Sequence, residues 1–159
     1  MAYLIDGNNL MGHLSPGERR GRESRYALTA ALLTFQRHTR RRIILVFDGP
    51  ADDDLERQKL GPKFTVLFPP PGGKADDVIQ EVLALPFDRR RMVVVSSDRE
   101  VKSQARTRGA EVMTCEEFEG ELKKVKKKAR LEREMSKPVE RPTPLEMKLW
   151  LNLMQRGRR

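Results

Sequence analysis

Five short apolar runs divide the chain, and none of them alternates with polar residues at a period of two. They lie near residues 2–5, 43–47, 64–68, 92–95 and 110–113. A strand with apolar side chains on both faces is covered on both faces, which is typical of parallel sheets in α/β proteins. The pattern predicts a five-stranded parallel sheet with right-handed crossovers.

Between these runs, apolar residues recur at helical spacing. A first helix is expected over about residues 18–40, after a loop at 11–17 that contains two glycines and a proline. Further helices are predicted from Lys74 and after Asp98. A long one is predicted after Thr114, which has capping-box spacing to Glu117. Strands that alternate with helices indicate an α/β fold with helices on both faces of the sheet.

Charge is distributed unevenly. Residues 1–121 contain 19 Lys and Arg against 19 Asp and Glu, whereas residues 122–159 contain 13 against 4 and carry the whole net charge of +9. We expect a folded domain at residues 1–135, then a proline-containing linker and a basic amphipathic helix within residues 136–159. The apolar side of that helix predicts docking on the domain, with partner binding as the alternative. The basic tail favours a polyanionic partner over a merely solvated face.

Cysteine usage and hydropathy restrict the compartment. Cys115 is the only cysteine, so no internal disulfide can form, which suits a reducing cytosol. No apolar run approaches the roughly 20 residues that span a bilayer, and the first residues lack a signal-like pattern. We expect a cytoplasmic protein without a membrane partner.

Aspartates follow the predicted strands. Asp6 ends the first, Asp48 the second, and Asp98 follows the fourth, while Asp76 and Asp77 open the helix after the third. The carboxyl ends of parallel strands meet at one edge of the sheet, so these side chains should lie close together. Crowded carboxylates repel one another, and they are the ligands that Mg²⁺ or Mn²⁺ prefers. Asp6, Asp48, Asp76 and Asp98 are therefore predicted to form a catalytic cluster for phosphodiester hydrolysis with one or two such ions.

Each aspartate taken alone has another explanation. Asp98 and Asp6 can cap a helix or form a turn, and Asp76 can favour the positive end of its helix. Capping does not exclude metal binding, and it explains the coincidence of all four positions less well than a shared site does.

Four motifs, in this order, resemble those of the YacP-like NYN domains, which belong to the PIN-like nuclease superfamily. They are LIDGNNL at residues 4–10, VFD at 46–48, KADDVI at 74–79 and VSSDR at 95–99. The resemblance covers roughly residues 2–135. It implies a Rossmann-like sheet of strand order 3-2-1-4-5 and a metal-dependent endoribonuclease acting on RNA. Because that branch includes an enzyme that cleaves messenger RNA on the ribosome, it also implies the ribosome as a partner.

The resemblance assigns roles to individual residues. It implies metal binding by Asp6, Asp76 and Asp98, with Asp48 near the same site. Asn9 matches the motif's asparagine and is expected to orient a ligand. Apart from the resemblance, Asp77 and Ser97 are expected to support the site from their positions beside Asp76 and Asp98. This branch usually carries an aromatic residue, often tyrosine, where Asn8 stands.

Basic side chains predicted to bind RNA phosphates form two groups. Lys74 and Arg99, with Lys63, are expected near the aspartates. Five others follow one another on the long helix: Lys123, Lys124, Lys126, Lys127 and Lys128.

Two other functions compete with a nuclease. Basic residues alone would serve a non-catalytic RNA- or ribosome-binding module. A phosphatase of the haloacid dehalogenase type is a third hypothesis, since residues 47–50 are similar to its nucleophile loop. That family needs a second aspartate where Pro50 stands, which argues against it.

Overall fold

The structure, a computed structural model, describes residues 1–18, 21–57, 60–86, 91–137 and 143–156. The chain falls into two compact units, Met1–Ala129 and Arg130–Arg159. The two prolines of the expected linker, at 138 and 142, lie outside the described residues. The domain boundary expected after residue 135 stays a prediction.

A five-stranded parallel sheet forms the centre of the first unit. Its strands are β1 (Ala2–Asp6), β2 (Arg42–Val46), β3 (Phe64–Leu67), β4 (Met92–Val95) and β5 (Glu111–Met113). Their order is β3-β2-β1-β4-β5, and every neighbouring pair is parallel. The predicted sheet and its order are confirmed. Asp6 lies opposite Val46, and Ile5 lies opposite Val95, so the carboxyl ends of the three central strands are level.

Helices cover both faces of this sheet. Within the described residues they are α1 (Gly7–Leu14), α2 (Arg22–Thr39), α3 (Asp53–Arg57), α4 (Ala75–Ala84), α5 (Arg99–Thr107), α6 (Cys115–Ser136) and α7 (Pro144–Arg156). One face packs against α1, α2 and α6, where the rings of Tyr3, Phe35 and Phe118 meet with centroids 5.2 to 5.5 Å apart. The other face packs against α4 and α5, where Ile79 and Val101 are fully buried.

The segment after β1 differs from the expected loop. Residues 7–14 form α1, and α2 begins at Arg22 instead of near residue 18. The Asp6 carboxylate caps α1, and Leu10 and Met11 are buried against the sheet. Burial of this short apolar face outweighs the low helix propensity of Gly12.

The helix start predicted after Thr114 is confirmed, and the helix expected within residues 136–159 begins at Pro144. Thr114 Oγ1 accepts a hydrogen bond from Glu117 N at 3.1 Å, at the start of α6. Thr143 and Glu146 form both bonds of a capping box, at 3.3 and 2.8 Å, at the start of α7. In α7, one surface concavity is lined by Met147, Trp150, Leu151 and Met154. Docking of this apolar side, or binding of a partner by it, stays a prediction. No helix among the described residues is long and apolar enough to cross a membrane.

Candidate active site

Asp6 is the innermost acidic residue of the site. It ends β1, is only 6% exposed, and its Oδ1 accepts a hydrogen bond from Asn9 N at 3.3 Å. The next residue must be small, because a Cβ atom on Gly7 would come within 2.7 Å of the Phe47 ring and 2.9 Å of Val46 O. Close packing of α1 against β2 therefore fixes the Asp6 carboxylate at the carboxyl end of the sheet.

Ser96 links Asp6 to Asp98. Its buried hydroxyl donates to Asp6 Oδ2 at 3.5 Å and accepts from Asp98 N at 3.1 Å. Asp98 caps α5, where its Oδ1 accepts hydrogen bonds from Glu100 N at 2.8 Å and Val101 N at 3.2 Å. The ends of β1 and β4 are thus joined through side chains.

Asp48 and Asp76 come from the neighbouring segments. Asp48 Oδ1 accepts a hydrogen bond from Ala75 N, the first residue of α4, at 3.2 Å. Asp76 follows in the first turn of α4 and is half-buried. The edge of the sheet that carries Asp6, Asp48, Asp76 and Asp98 is called the acidic edge below.

Burial and mutual repulsion perturb two of these carboxyl groups. Burial, and after it the negative charges of Asp76, Asp48 and Asp98, raise the pKa of Asp6 to about 6 against the lowering effect of the Asn9 hydrogen bond. The pKa of Asp76 is also raised, first by burial and then by the charges of Asp98 and Asp48. Asp6 therefore lies within electrostatic reach of the other three aspartates, and Asp76 within reach of Asp48 and Asp98.

The donor atoms of the acidic edge suit a hard divalent cation. Carboxylate oxygens from separate segments are what Mg²⁺ and Mn²⁺ prefer. A cation here would offset the repulsion that adds to burial in raising the pKa of Asp6. Among the described residues, no group of three His, Cys, Asp or Glu side chains is arranged to hold a metal ion. The acidic edge therefore fits a hard cation by the chemistry of its donor atoms, and not by an arrangement that already surrounds one.

The expected supporting residues have distinct surroundings. Asn9 Oδ1 accepts hydrogen bonds from Ser97 N at 2.7 Å and from the Cys115 thiol at 3.0 Å. Ser97 Oγ accepts from Cys115 N at 3.1 Å. Burial raises the pKa of the Cys115 thiol, which keeps it a protonated donor. Asp77 is exposed, and its Oδ2 accepts from Lys74 N at 3.4 Å.

The expected RNA-binding residues are all exposed but lie in different places. Lys74 and Arg99 flank the acidic edge at the starts of α4 and α5. Lys63 was wrongly expected there, since its Nζ donates to Arg40 O, at the opposite edge of the sheet. The five lysines of α6 point into solvent, and two of them pair with acidic residues: Lys123 with Glu119 at 3.0 Å and Lys124 with Glu121 at 3.4 Å.

Three residues at the acidic edge had no predicted role there. Asn8 Oδ1 accepts from Asp48 N at 2.8 Å, and the charge of Glu100 reaches Asp76. Arg25 donates through Nη2 to Asp48 O at 2.6 Å and through Nη1 to Pro50 O at 3.2 Å. The sequence contained a sign that Arg25 faces the domain interior. Arg25 is in helical register with Leu28 and Leu32, so it lies on the same side of α2 as these buried residues.

Solved structures with this fold include two of Rae1 (YacP) from Bacillus subtilis. One is 22% identical, with a TM-score of 0.70, and the match covers 99% of this chain and 92% of that chain. The other, a mutant of the same protein, is 23% identical with a TM-score of 0.69, and the match covers 87% and 86%. A search of curated proteins found no match.

The sequence profile of the YacP-like NYN domain, a nuclease-like domain, matches residues 3–155. This match extends past residue 135, where the resemblance of the motifs ends, and includes all but the last residue of α7. The resemblance predicted from the four motifs is confirmed: the chain belongs to the YacP-like NYN domain family.

Proposed function

We propose that this protein is a metal-dependent endoribonuclease that hydrolyses phosphodiester bonds in RNA. The observation that carries the proposal is the meeting of Asp6, Asp48, Asp76 and Asp98, from four chain segments, close enough for the charges of the last three to add to burial in raising the pKa of Asp6. Repelling carboxylates are costly in a fold unless a cation binds among them. Family membership supports a nuclease-like activity on RNA.

Asp6, Asp76 and Asp98 are the proposed ligands of Mg²⁺ or Mn²⁺, with Asp48 beside them. When bound, such an ion activates water and stabilises the charge that develops on a phosphate. The protein contributes the positions of the carboxylates. Asp6 is fixed by burial and Asp98 by two backbone N–H groups of α5. Asn9 and Ser97 tie the loop after β4 to α1, while Asp77 adds negative charge beside Asp76.

Basic residues would guide the RNA. Lys74 and Arg99 are placed to neutralise phosphates next to the acidic edge. Cys115 contacts Ser97, so α6 begins at that edge, and its lysines lie about 12 to 20 Å further along the helix axis. An RNA strand that follows α6 would lead into the site. Messenger RNA on the ribosome is the specific substrate that we propose.

Substituting Asp6 or Asp76 by asparagine tests the proposal. Asp6→Asn and Asp76→Asn should each lower RNA cleavage by at least about a hundredfold, because loss of a ligand removes the ion's contribution to the barrier. The assay should use a circular RNA, which only an endonuclease can open, with Mn²⁺ or with excess chelator. The matched control is Asp53→Asn, an exposed acidic residue of α3, which should cleave like the unsubstituted protein.

Cleavage that survives both substitutions, or that continues in chelator, would show that the acidic edge is not the catalytic site. Circular dichroism of each variant separates loss of the site from loss of the fold. Cleavage of a linear RNA but not of the circular RNA would mean that the protein is an exonuclease and not an endonuclease.

The alternative is an RNA- or ribosome-binding module without catalysis, favoured by the five exposed lysines of α6. It predicts that Asp6→Asn leaves RNA binding unchanged and that no condition yields cleavage. A gel-shift titration with the same circular RNA, run beside the cleavage assay, distinguishes the two functions.

A further inference from the structure

The turn after β2 is held by a side chain from another element. β2 ends at Val46, Phe47 N still pairs with Leu67 O at 3.0 Å, and the chain then turns at Gly49 with a φ of +86°. The carbonyls of Asp48 and Pro50 both accept hydrogen bonds from the Arg25 guanidinium, at 2.6 and 3.2 Å. One planar group therefore fixes the backbone on both sides of Gly49.

Two aromatic rings hold that guanidinium in place. Its central carbon lies 5.6 Å from the centroid of the Phe47 ring and 5.5 Å from that of Phe68, and the two rings are 5.8 Å apart. Guanidinium groups stack well on aromatic faces and present several donors in one plane. A lysine at the same place would have a single ammonium group in place of the planar guanidinium and its paired donors.

The turn holds Asp48 in place, and the Asp48 carboxylate in turn holds the start of α4. Asp48 Oδ1 accepts from Ala75 N, and Asp76 is the next residue of α4. Arg25 bonds to the main chain of the turn that carries Asp48, and Asp48 in turn bonds to the residue before Asp76. By contrast, Asp6 and Asp98 are joined by Ser96 on the other side of β1.

We propose that Arg25 is a positioning residue, which holds Asp48 and through it Asp76 in the geometry that binds the metal ion. The effect of Arg25 on metal binding rests on the proposed function, whereas its effect on the turn does not. The role follows from the contacts of Arg25 with the Asp48 and Pro50 carbonyls and with the two rings.

The test compares Arg25→Lys with Arg22→Lys. Arg22 lies on the same helix, stacks on Tyr26 and pairs with Asp52 and Asp54, so its substitution is a matched control that does not reach the turn. Arg25→Lys should weaken Mn²⁺ binding, measured by calorimetry, by about tenfold or more, as is usual when a residue that orients metal ligands is lost. Its kcat for RNA cleavage should fall more than its KM rises. Phe68→Leu should also weaken Mn²⁺ binding and lower kcat, but by a smaller factor than Arg25→Lys.

A readout independent of metal follows the Ala75 amide. As the first residue of α4 it has no partner within the helix, so its protection against hydrogen exchange depends on Asp48. Arg25→Lys should abolish that protection, and Arg22→Lys should preserve it. Unchanged Ala75 exchange together with unchanged Mn²⁺ affinity would overturn the role of Arg25. Loss of Ala75 protection in a protein that binds no Mn²⁺ at all would instead support the role in the turn and refute the proposed function.

Discussion

Three aspartates of the acidic edge use one carboxylate oxygen each to hold a helix. The Oδ1 atoms of Asp6, Asp48 and Asp98 accept the backbone N–H groups at the starts of α1, α4 and α5 respectively. Helix starts carry partial positive charge, which offsets part of the repulsion among the carboxylates. Capping and site formation are therefore compatible: the same residues that set the helix directions bring the negative charges together.

Asp6 should make the metal-free protein sensitive to pH. Its native pKa of about 6 lies above the value of 3.8 expected when unfolded. The native state therefore binds the proton more tightly, and stability falls as pH rises from about 4 to about 6. Two units of pKa correspond to about 3 kcal/mol at higher pH. In chelator, Asp6→Asn should be more stable than the unsubstituted protein at pH 7.5, and the difference should shrink toward zero near pH 4.

Urea unfolding at a series of pH values measures this difference. Gly120→Ala provides an uncharged control, because its site on α6 is open and its effect should not change with pH. If the difference in unfolding free energy between Asp6→Asn and the unsubstituted protein stayed constant from pH 4 to 7.5, the pKa of Asp6 would not be raised. Saturating Mn²⁺ should reverse the order, since the ion stabilises only the protein that retains its ligand.

At the scale of elements, the strands were predictable because each is an apolar run whose side chains are buried on both faces, as at Val93 and Val94. α1 was not predictable from periodicity. It is eight residues long, contains glycine, and is held by a cap and by burial that only the folded sheet provides. The placement of Asp6 and Asp98 was predictable, because each lies at or just after the end of a predicted strand. The contacts of Arg25 were not predictable, because they depend on how α2 packs beside the turn at Gly49.

The contact of α1 with β2 is tight enough to test by adding one methyl group. Gly7→Ala should cost about 1 to 3 kcal/mol in the free energy of unfolding, because the Phe47 ring and the Val46 carbonyl would both have to move. Gly120→Ala, in open space on α6, should instead stabilise by up to about 1 kcal/mol. The measurement is urea unfolding of both variants at one pH. A neutral Gly7→Ala would mean that α1 can move away from β2 without loss.

At the scale of the whole molecule, the described residues form two distinct charged regions, the acidic edge and the five lysines of α6. Acidic groups converge where the strands end, whereas five lysines lie in solvent along α6, which begins at that edge. In the proposed function, a cation at the acidic edge and the lysines of α6 would together offset the repulsion of RNA by the carboxylates. The sequence indicated this separation, because charge counts depend little on the details of packing.

Removing two charges from α6 should weaken RNA binding without changing the chemistry. Lys126→Gln with Lys127→Gln should reduce affinity, and the slope of log affinity against log salt should drop by about 1.4 if each lysine meets one phosphate of single-stranded RNA. The value of kcat should stay unchanged, since neither side chain reaches the acidic edge. The control is Arg106→Gln with Arg108→Gln, which removes the same charge from the far end of α5. Binding titrations between 50 and 200 mM salt, on the order of the physiological range, make the comparison. An equal loss in both double variants would indicate attraction by net charge alone and would remove α6 from the path of the RNA.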